Sequence, residues 1–367
     1  MSSLDVVGKS VPMYDSWEKV IGRAQYAVDI ARPGMLMGKI LRSPYPHARI
    51  MRIDTSRAEK LPGVKAVVAG RTWGLQKRDR AAVDFVTART SDDMRVTKER
   101  IFAIDKVRYI GDEVAAVAAI SEDVAEEALE LINVEYEELP AYFDPEEALR
   151  PDAVPIHGSE NNIVTTFSFT RGDPDKGFKE ADIILEDRFT IPTQNQGYLE
   201  PLSCVAEVDS SGKITVWISH MNPSGVHLGL ARVLGLPESK VRVIQAYVGG
   251  GFGGKVSMMP MHPIAALLAM KSNRPVKITY NREEEFIAGL PRVSVSINIR
   301  MGARRDGTLV AKETRIIADN GAYIDLGPAI VAQMMLAQDC LYRNQNIKSE
   351  AKVVYTNKAP VGAMRGF

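Results

Sequence analysis

VRVIQAYVGGGFGGK, residues Val241 to Lys255, joins a compact strand-like run to a loop with five glycines in the six positions Gly249 to Gly254. Glycine has no Cβ, so it takes positive φ without strain and lets backbone N–H groups come close to a ligand. Successive amides at such a turn form an anion cradle, stronger where a helix begins, and the sequence predicts a helical segment beyond the loop. A phosphate-bearing cofactor is the natural occupant; a plain hairpin or bulge is the alternative. Gly249, Gly254 and Lys255 approach the pattern G-x-x-x-x-G-K-[ST]. The last position, however, is Val256, which offers no hydroxyl to magnesium and argues against ATP hydrolysis. Gly249, Gly251 and Gly254 also satisfy G-x-G-x-x-G, yet they lie deep in the chain, outside any βαβ unit evident in the sequence. Phe252 suits neither pattern and suggests a wall beside something planar or reactive.

Outward from the loop, Ser224 to Leu234 carries Val226, Leu230, Val233 and Leu234 at helical spacing and stops at Gly235 and Pro237. A second helix is predicted near Pro263 to Lys271. Leu202 to Val208 and Lys213 to Ile218 flank the turn Asp209-Ser-Ser-Gly212 and read as a hairpin. Val293, Val295, Ile297 and Ile299 alternate as a half-buried strand, which Asp306-Gly307 turns into a partner strand. Earlier, Leu36 to Leu41 and Glu113 to Ile120 are apolar runs read as buried strands. Ser121 is placed to cap the helix EDVAEEALELI, after which Asn133 to Glu137 returns as a strand. The fold class is α+β, with a domain over residues 1–140, a proline-rich linker over 141–162 and a second domain over 163–367.

The 367 residues carry 46 basic and 46 acidic side chains and are 45% apolar, the make-up of a folded globular chain. Neutral charge removes the usual electrostatic case for nucleic acid or an anionic membrane, and neither is expected as a partner. Two distant cysteines, Cys204 and Cys340, cannot build a disulfide framework, a structural zinc site or an iron–sulfur cluster. MSSLDVVGKS lacks the apolar core of a signal peptide, and no run approaches about 18 apolar residues, so a cytoplasmic location is expected. The five histidines show no H-x-x-x-H spacing and are assigned structural or surface roles; His220, beside Met221, is the one to watch. Arg282-Glu283-Glu284-Glu285 reads as a solvated face, and Met258, Met259 and Met261 as core filler.

GGGFGGK at Gly249 to Lys255 resembles the loop over the molybdenum–pterin cofactor in the molybdenum hydroxylases, the family of xanthine dehydrogenase and aldehyde oxidase. GAMRGF at Gly362 to Phe367 resembles that family's A-F-R-G-F segment, with Met364 in place of the usual aromatic. YLEP from Tyr198 and ISHMNP from Ile218 are similar to two further landmarks. GRAQYAVDI from Gly22, LRSPYPHARI from Leu41 and DKVRYIGDEVAAVAA from Asp105 resemble the small α/β hammerhead domain that precedes the cofactor region. The resemblance implies that hammerhead domain followed by the first part of a molybdenum-cofactor-binding α+β region. It implies a molybdenum–molybdopterin cofactor, a cytosine dinucleotide form being one version, with the metal held by the pterin and by no side chain. It further implies an iron–sulfur subunit with [2Fe–2S] clusters, an FAD subunit, and hydroxylation of an aldehyde or N-heterocyclic carbon with water as the oxygen source.

By the same resemblance Gly250, Gly251, Phe252, Gly253, Arg365 and Met221 contact the cofactor, and Val256, Gln333 and Met364 are candidates for the substrate pocket. Met221 stands where many relatives carry a glutamine, and a thioether cannot donate that hydrogen bond. Gln196 stands where a histidine is common, and Val256 where xanthine dehydrogenases are acidic, which points away from a purine. GAMRGF lacks the cysteine of the carbon-monoxide-oxidising branch. The family's general-base glutamate belongs to the second half of the catalytic region, so no catalytic residue is expected here. The chain is read as a fragment or split subunit, inactive alone and completed by a second molybdopterin-binding chain.

Overall fold

The computed structural model describes residues 4–70 and 101–366, so Phe367 at the end of GAMRGF lies outside it. Residues up to 140 supply β1 (Leu36–Arg42), β2 (Ala48–Asp54), β3 (Val64–Ala69), β4 (Lys106–Val107), β5 (Glu113–Ala119) and β6 (Asn133–Glu138). Among the described residues three α-helices accompany them: α1 (Ser16–Val20), α2 (Ser56–Lys60) and α3 (Glu122–Glu130). β5 is buried at every position, as its run of alanine and valine requires. Ser121 caps α3, its Oγ accepting from the Val124 amide at 3.3 Å, and Ala125 and Ala128 turn inward.

The remainder gives α4 (Pro145–Ala148), β7 (Ile163–Arg171), α5 (Pro174–Lys179), β8 (Ile183–Ile191), β9 (Ser203–Val208) and β10 (Ile214–Ile218). There follow α6 (Pro223–Leu234), β11 (Val241–Gln245), α7 (Met261–Ser272), β12 (Val276–Thr279) and α8 (Arg282–Ala288). Then come β13 (Val295–Ala303), β14 (Leu309–Gly321), α9 (Gly327–Ala337) and β15 (Ile347–Tyr355). The expected hairpin is present: β9 and β10 pair antiparallel, and Gly212, at φ 75°, closes the turn by donating to the Asp209 carbonyl at 2.9 Å. α6 ends on Gly235 at φ 68°, a left-handed cap that glycine takes at little cost.

One seven-stranded sheet has the order β11-β10-β9-β12-β1-β5-β3, and a five-stranded sheet has the order β7-β15-β14-β13-β8. β2, β4 and β6 form a third, smaller sheet. The stretch 141–162 therefore marks no division between sheets: β1 pairs in parallel with β12, so both sides of the expected boundary share one sheet. Gly38 permits this pairing, because a Cβ there would fall 2.7 Å from Ile278 Cγ1. The stretch itself is also packed, with Ile156, His157 and Asn162 buried.

Two expectations about the glycine run are corrected by this topology. β10 and β11 are parallel and joined through α6, so the run does follow a βαβ unit. The hairpin signal of β9 and β10 concealed it, because β10 pairs on both edges. And no helix opens at the glycines: α7 starts only at Met261, with residues 256–260 between it and Lys255, so the loop has backbone amides but no helix dipole behind them.

Candidate active site

The loops leaving the carboxyl ends of parallel β10 and β11 meet, the usual place for a ligand in such an arrangement. The Met221 amide donates to the Lys255 carbonyl at 2.8 Å, and a Cβ on Gly251 would fall 2.7 Å from Met221 Sδ. Beneath the loop Lys255 is 0% exposed. Its Nζ donates to the Glu200 carbonyl at 2.8 Å, to Glu200 Oε2 at 3.0 Å and to Ser219 Oγ at 2.8 Å. Glu200 Oε2 also accepts from the Gly249 amide at 2.5 Å and from Ser219 Oγ at 2.7 Å. One carboxylate oxygen thus ties both ends of the glycine run. Burial lowers the Lys255 pKa, and Glu200 opposes that shift. A lysine held this way cannot reach a phosphate, which removes the nucleotide-loop reading.

Glu285 lies under the same loop. It is 0% exposed, which corrects the reading of Arg282 to Glu285 as a solvated face. Its carboxylate accepts from the Tyr198 hydroxyl and from the Leu202 amide. Desolvation raises its pKa above the usual 4.5, and those two donors only partly offset it. Glu284 is also engaged, accepting from Arg42 at 3.2 Å. The signal in the sequence was the spacing: Glu285 and Ala288 share the inward side of α8.

Above the loop the picture changes. Phe252 is held at φ 49° with its side chain 51% exposed, a left-handed conformation that costs a bulky residue roughly 1–2 kcal/mol. Gly250 and Gly253 have φ values of 100° and 105°. A Cβ on Gly253 would fall 2.4 Å from the Ala363 carbonyl oxygen. The Arg365 amide donates to the Phe252 carbonyl at 2.9 Å. Gln196 Nε2 donates to the carbonyls of Leu290 and Ala363, each at 2.8 Å, so its amide fixes the GAMRG segment. Among the described residues the amides of Gly250, Gly251, Phe252 and Gly253 donate to no protein acceptor. Four unspent donors on a glycine cradle fit an oxygen-rich anionic cofactor.

Of the residues expected to meet a cofactor, the structure brings together Gly250, Gly251, Phe252, Gly253, Met221 and Arg365. Met364 is half-buried next to Arg365, and Val256 is half-buried after Lys255. Gln333 is exposed on α9, which packs on β14, β15 and β7, and no hydrogen bond ties it to the loop. His220 is interior: Nε2 donates to the Ser257 carbonyl at 2.8 Å and Nδ1 accepts from the Asn222 amide at 3.0 Å. Both ring nitrogens are occupied, so it braces the loop that bears Met221. No group of three or more His, Cys, Asp or Glu among the described residues could hold a metal ion, and no described helix is long and apolar enough to cross a membrane.

A family model for the molybdopterin cofactor-binding domain matches residues 156–367, and one for the aldehyde oxidase and xanthine dehydrogenase a/b hammerhead domain matches residues 21–140. The chain is 39% identical over 353 residues to a probable xanthine dehydrogenase subunit of Bacillus subtilis, covering 96% of this chain and 45% of that protein. It is 38% identical over 363 residues to the nicotinate dehydrogenase large molybdopterin subunit of Eubacterium barkeri, covering 99% of this chain and 82% of that protein. Quinoline 2-oxidoreductase from Pseudomonas putida 86 superposes with a TM-score of 0.87 at 30% identity, over 98% of this chain and 46% of that one. The chain thus spans somewhat less than half of two of these relatives and most of the third.

Proposed function

The chain belongs to the xanthine dehydrogenase and aldehyde oxidase family of molybdopterin-binding proteins, and from that premise we propose that it forms the glycine-loop side of a molybdenum hydroxylase active site. The observation that carries this reading is the set of four unpaired amides at Gly250 to Gly253, with Arg365 anchored beside them through its own backbone. The amides of Phe252 and Gly253 would hold an oxygen of the molybdopterin group, with Gly250 and Gly251 giving the backbone room to approach it. Arg365 would face its negative charge, and Met221 would form an apolar flank. When bound, the group supplies the two-electron oxidation and oxygen insertion that side chains cannot perform.

The chain's own part is to bind and to orient. Glu200 and Lys255 hold the loop ends at fixed separation, Gln196 fixes the segment carrying Arg365, and the Phe252 ring lies beside Gly250 at the edge of the cradle. The substrate is an N-heterocyclic aromatic or an aldehyde, hydroxylated with water as the oxygen source. The names of relatives acting on nicotinate and quinoline favour the ring, and Val256 disfavours a purine. Electrons leave to [2Fe–2S] and FAD partners, in the cytoplasm. The general base comes from the remainder of the molybdopterin-binding region, as a continuation of this polypeptide or a second chain, and these 367 residues alone do not turn over.

Metal and pterin analysis of the native complex tests this. Stoichiometric molybdenum and pterin, with turnover of nicotinate- or quinoline-type rings, are expected. A native complex free of both overturns the proposal.

A further inference from the structure

Gln196 reaches the GAMRG segment and Glu200 ties the ends of the glycine run; between them in the chain stands Tyr198, 2% exposed. A Cβ on Gly250 would fall 3.2 Å from Tyr198 Cβ, and a Cβ on Gly254 would fall 2.9 Å from Tyr198 Cε1. The tyrosine thus meets the loop twice, on either side of Gly251 to Gly253, at two positions where only hydrogen leaves it room. The Lys255 ammonium lies 4.6 Å from the centre of its ring, so the residue that closes the loop also rests on it.

The tyrosine is itself gripped by α8. Arg282 Nη1 donates to the Tyr198 carbonyl at 3.0 Å and Nη2 to the Leu199 carbonyl at 3.1 Å. One turn further on, Glu285 accepts from the Tyr198 hydroxyl. α8 is anchored in turn, because Glu284 accepts from Arg42 of β1 at 3.2 Å, and Arg42 also donates to Glu113 of β5 at 3.0 Å. Tyr198 is therefore pinned at its main chain and at its hydroxyl to one helix, and that helix to the seven-stranded sheet. A ring held at both ends cannot follow the loop; the loop has to follow the ring.

We propose that Tyr198 is a positioning residue for the molybdopterin group, its ring being the floor that sets where the amides of Gly251 to Gly253 stand. This rests on the function proposed above, because those amides are taken to hold the group. Lys255 and Glu200 fix the ends of the run, and the ring fixes its middle. A displacement of roughly 1 Å at a reacting centre can cost about a hundredfold in rate. Loss of the floor is therefore read in kcat, with KM little changed.

The test introduces Tyr198→Leu, Tyr198→Phe and Gly254→Ala into the native holo-complex. Molybdenum and pterin content, the Mo(V) EPR spectrum, and kcat and KM per loaded molybdenum with a nicotinate- or quinoline-type ring are measured for each. Tyr198→Leu is expected to shift the spectrum and to lower kcat by about tenfold or more, with KM within about threefold of the parent. Tyr198→Phe keeps the ring and should restore the parent spectrum, with kcat within about threefold. Gly254 has no positive φ, so alanine there meets only the ring and Gln196 Oε1, each at 2.9 Å. It keeps the test open should the leucine variant not fold, and a shifted spectrum with kcat lowered by about fivefold or more is expected. Loaded Tyr198→Leu and Gly254→Ala complexes with the parent's spectrum and kcat, whatever their melting temperatures, make the ring mere packing and overturn the proposal. A Tyr198→Phe complex as impaired as Tyr198→Leu overturns it too, since the hydroxyl and not the ring would then act. A parent complex free of molybdenum and pterin sinks the hydroxylase reading and this inference with it, whereas a loaded parent with unaltered variants sinks the floor alone.

Discussion

The two sides of the glycine loop are built on opposite terms. Beneath it, Lys255 directs its Nζ to three acceptors and Glu200 Oε2 takes three donors, all within 3.0 Å. Above it, four consecutive amides have no protein partner, and Phe252 sits in a conformation that glycine would take more cheaply. The contrast teaches a division of labour. The lower side fixes where the loop is and should register in folding stability. On the function proposed above, the upper side meets the cofactor and should register in cofactor retention.

The strongest way to break that division is Lys255→Met. It leaves the buried Glu200 carboxylate without its cation, and removing one partner of such a pair typically costs about 3–5 kcal/mol. Urea unfolding is expected to show that loss, and the double variant with Glu200→Gln should recover part of it. A loss below about 1 kcal/mol, at the level of an exposed pair, means that the lower side is not the foundation described.

Next in size, Gly253→Val sets a branched side chain at φ 105° against the Ala363 carbonyl. Molybdenum content is expected to fall at least fivefold, with a stability change smaller than that of Lys255→Met. Unchanged metal content removes Gly253 from the cradle.

A smaller effect tests Glu285. Its folded pKa is raised by burial, so the native state binds its proton more tightly than the unfolded chain does. Its contribution is fully present below the usual 4.5 and is lost as pH rises through the elevated folded value. Stability should therefore fall over that window, and Glu285→Gln should flatten the profile. Identical pH profiles for variant and parent contradict the assignment.

The smallest expected change is a gain. Phe252→Asn places a residue tolerant of the left-handed region at φ 49° and should stabilise the metal-free chain by about 0.5–1 kcal/mol while weakening cofactor retention. A loss of stability instead shows that the Phe252 ring packs as part of the foundation.

Much of the fold was legible because local chemistry and tertiary packing agreed. EVAAVAAI reads as a buried strand in any context that covers both faces, and Ser121 followed by acidic residues is a helix start on its own terms. The residues proposed to meet a cofactor were singled out by motif resemblance, and the structure gathers Gly250 to Gly253, Met221 and Arg365. The foundation was not. Glu200 and Glu285 are charged, and composition favours placing charge at the surface; only the contacts with Lys255, Tyr198 and the Leu202 amide make their burial tolerable. Those partners come from segments some 50 to 90 residues away, beyond the reach of any periodicity. The shared sheet escaped notice for the same reason, since parallel pairing of β1 with β12 leaves no local trace.

That pairing bears on how the chain is made. It joins Leu36 to Val276, so β1 waits through some 240 residues of synthesis for its second neighbour. At a few to some twenty residues per second this is a delay of roughly ten seconds or more. Through that interval the inner edge of β1, narrowed at Gly38 to receive Ile278, stands open beside the already buildable β5 and β3. Among the described residues, β1, β5 and β3 thus form part of a sheet whose β1 edge stays unsealed, and the strand that seals it is made only after the glycine loop.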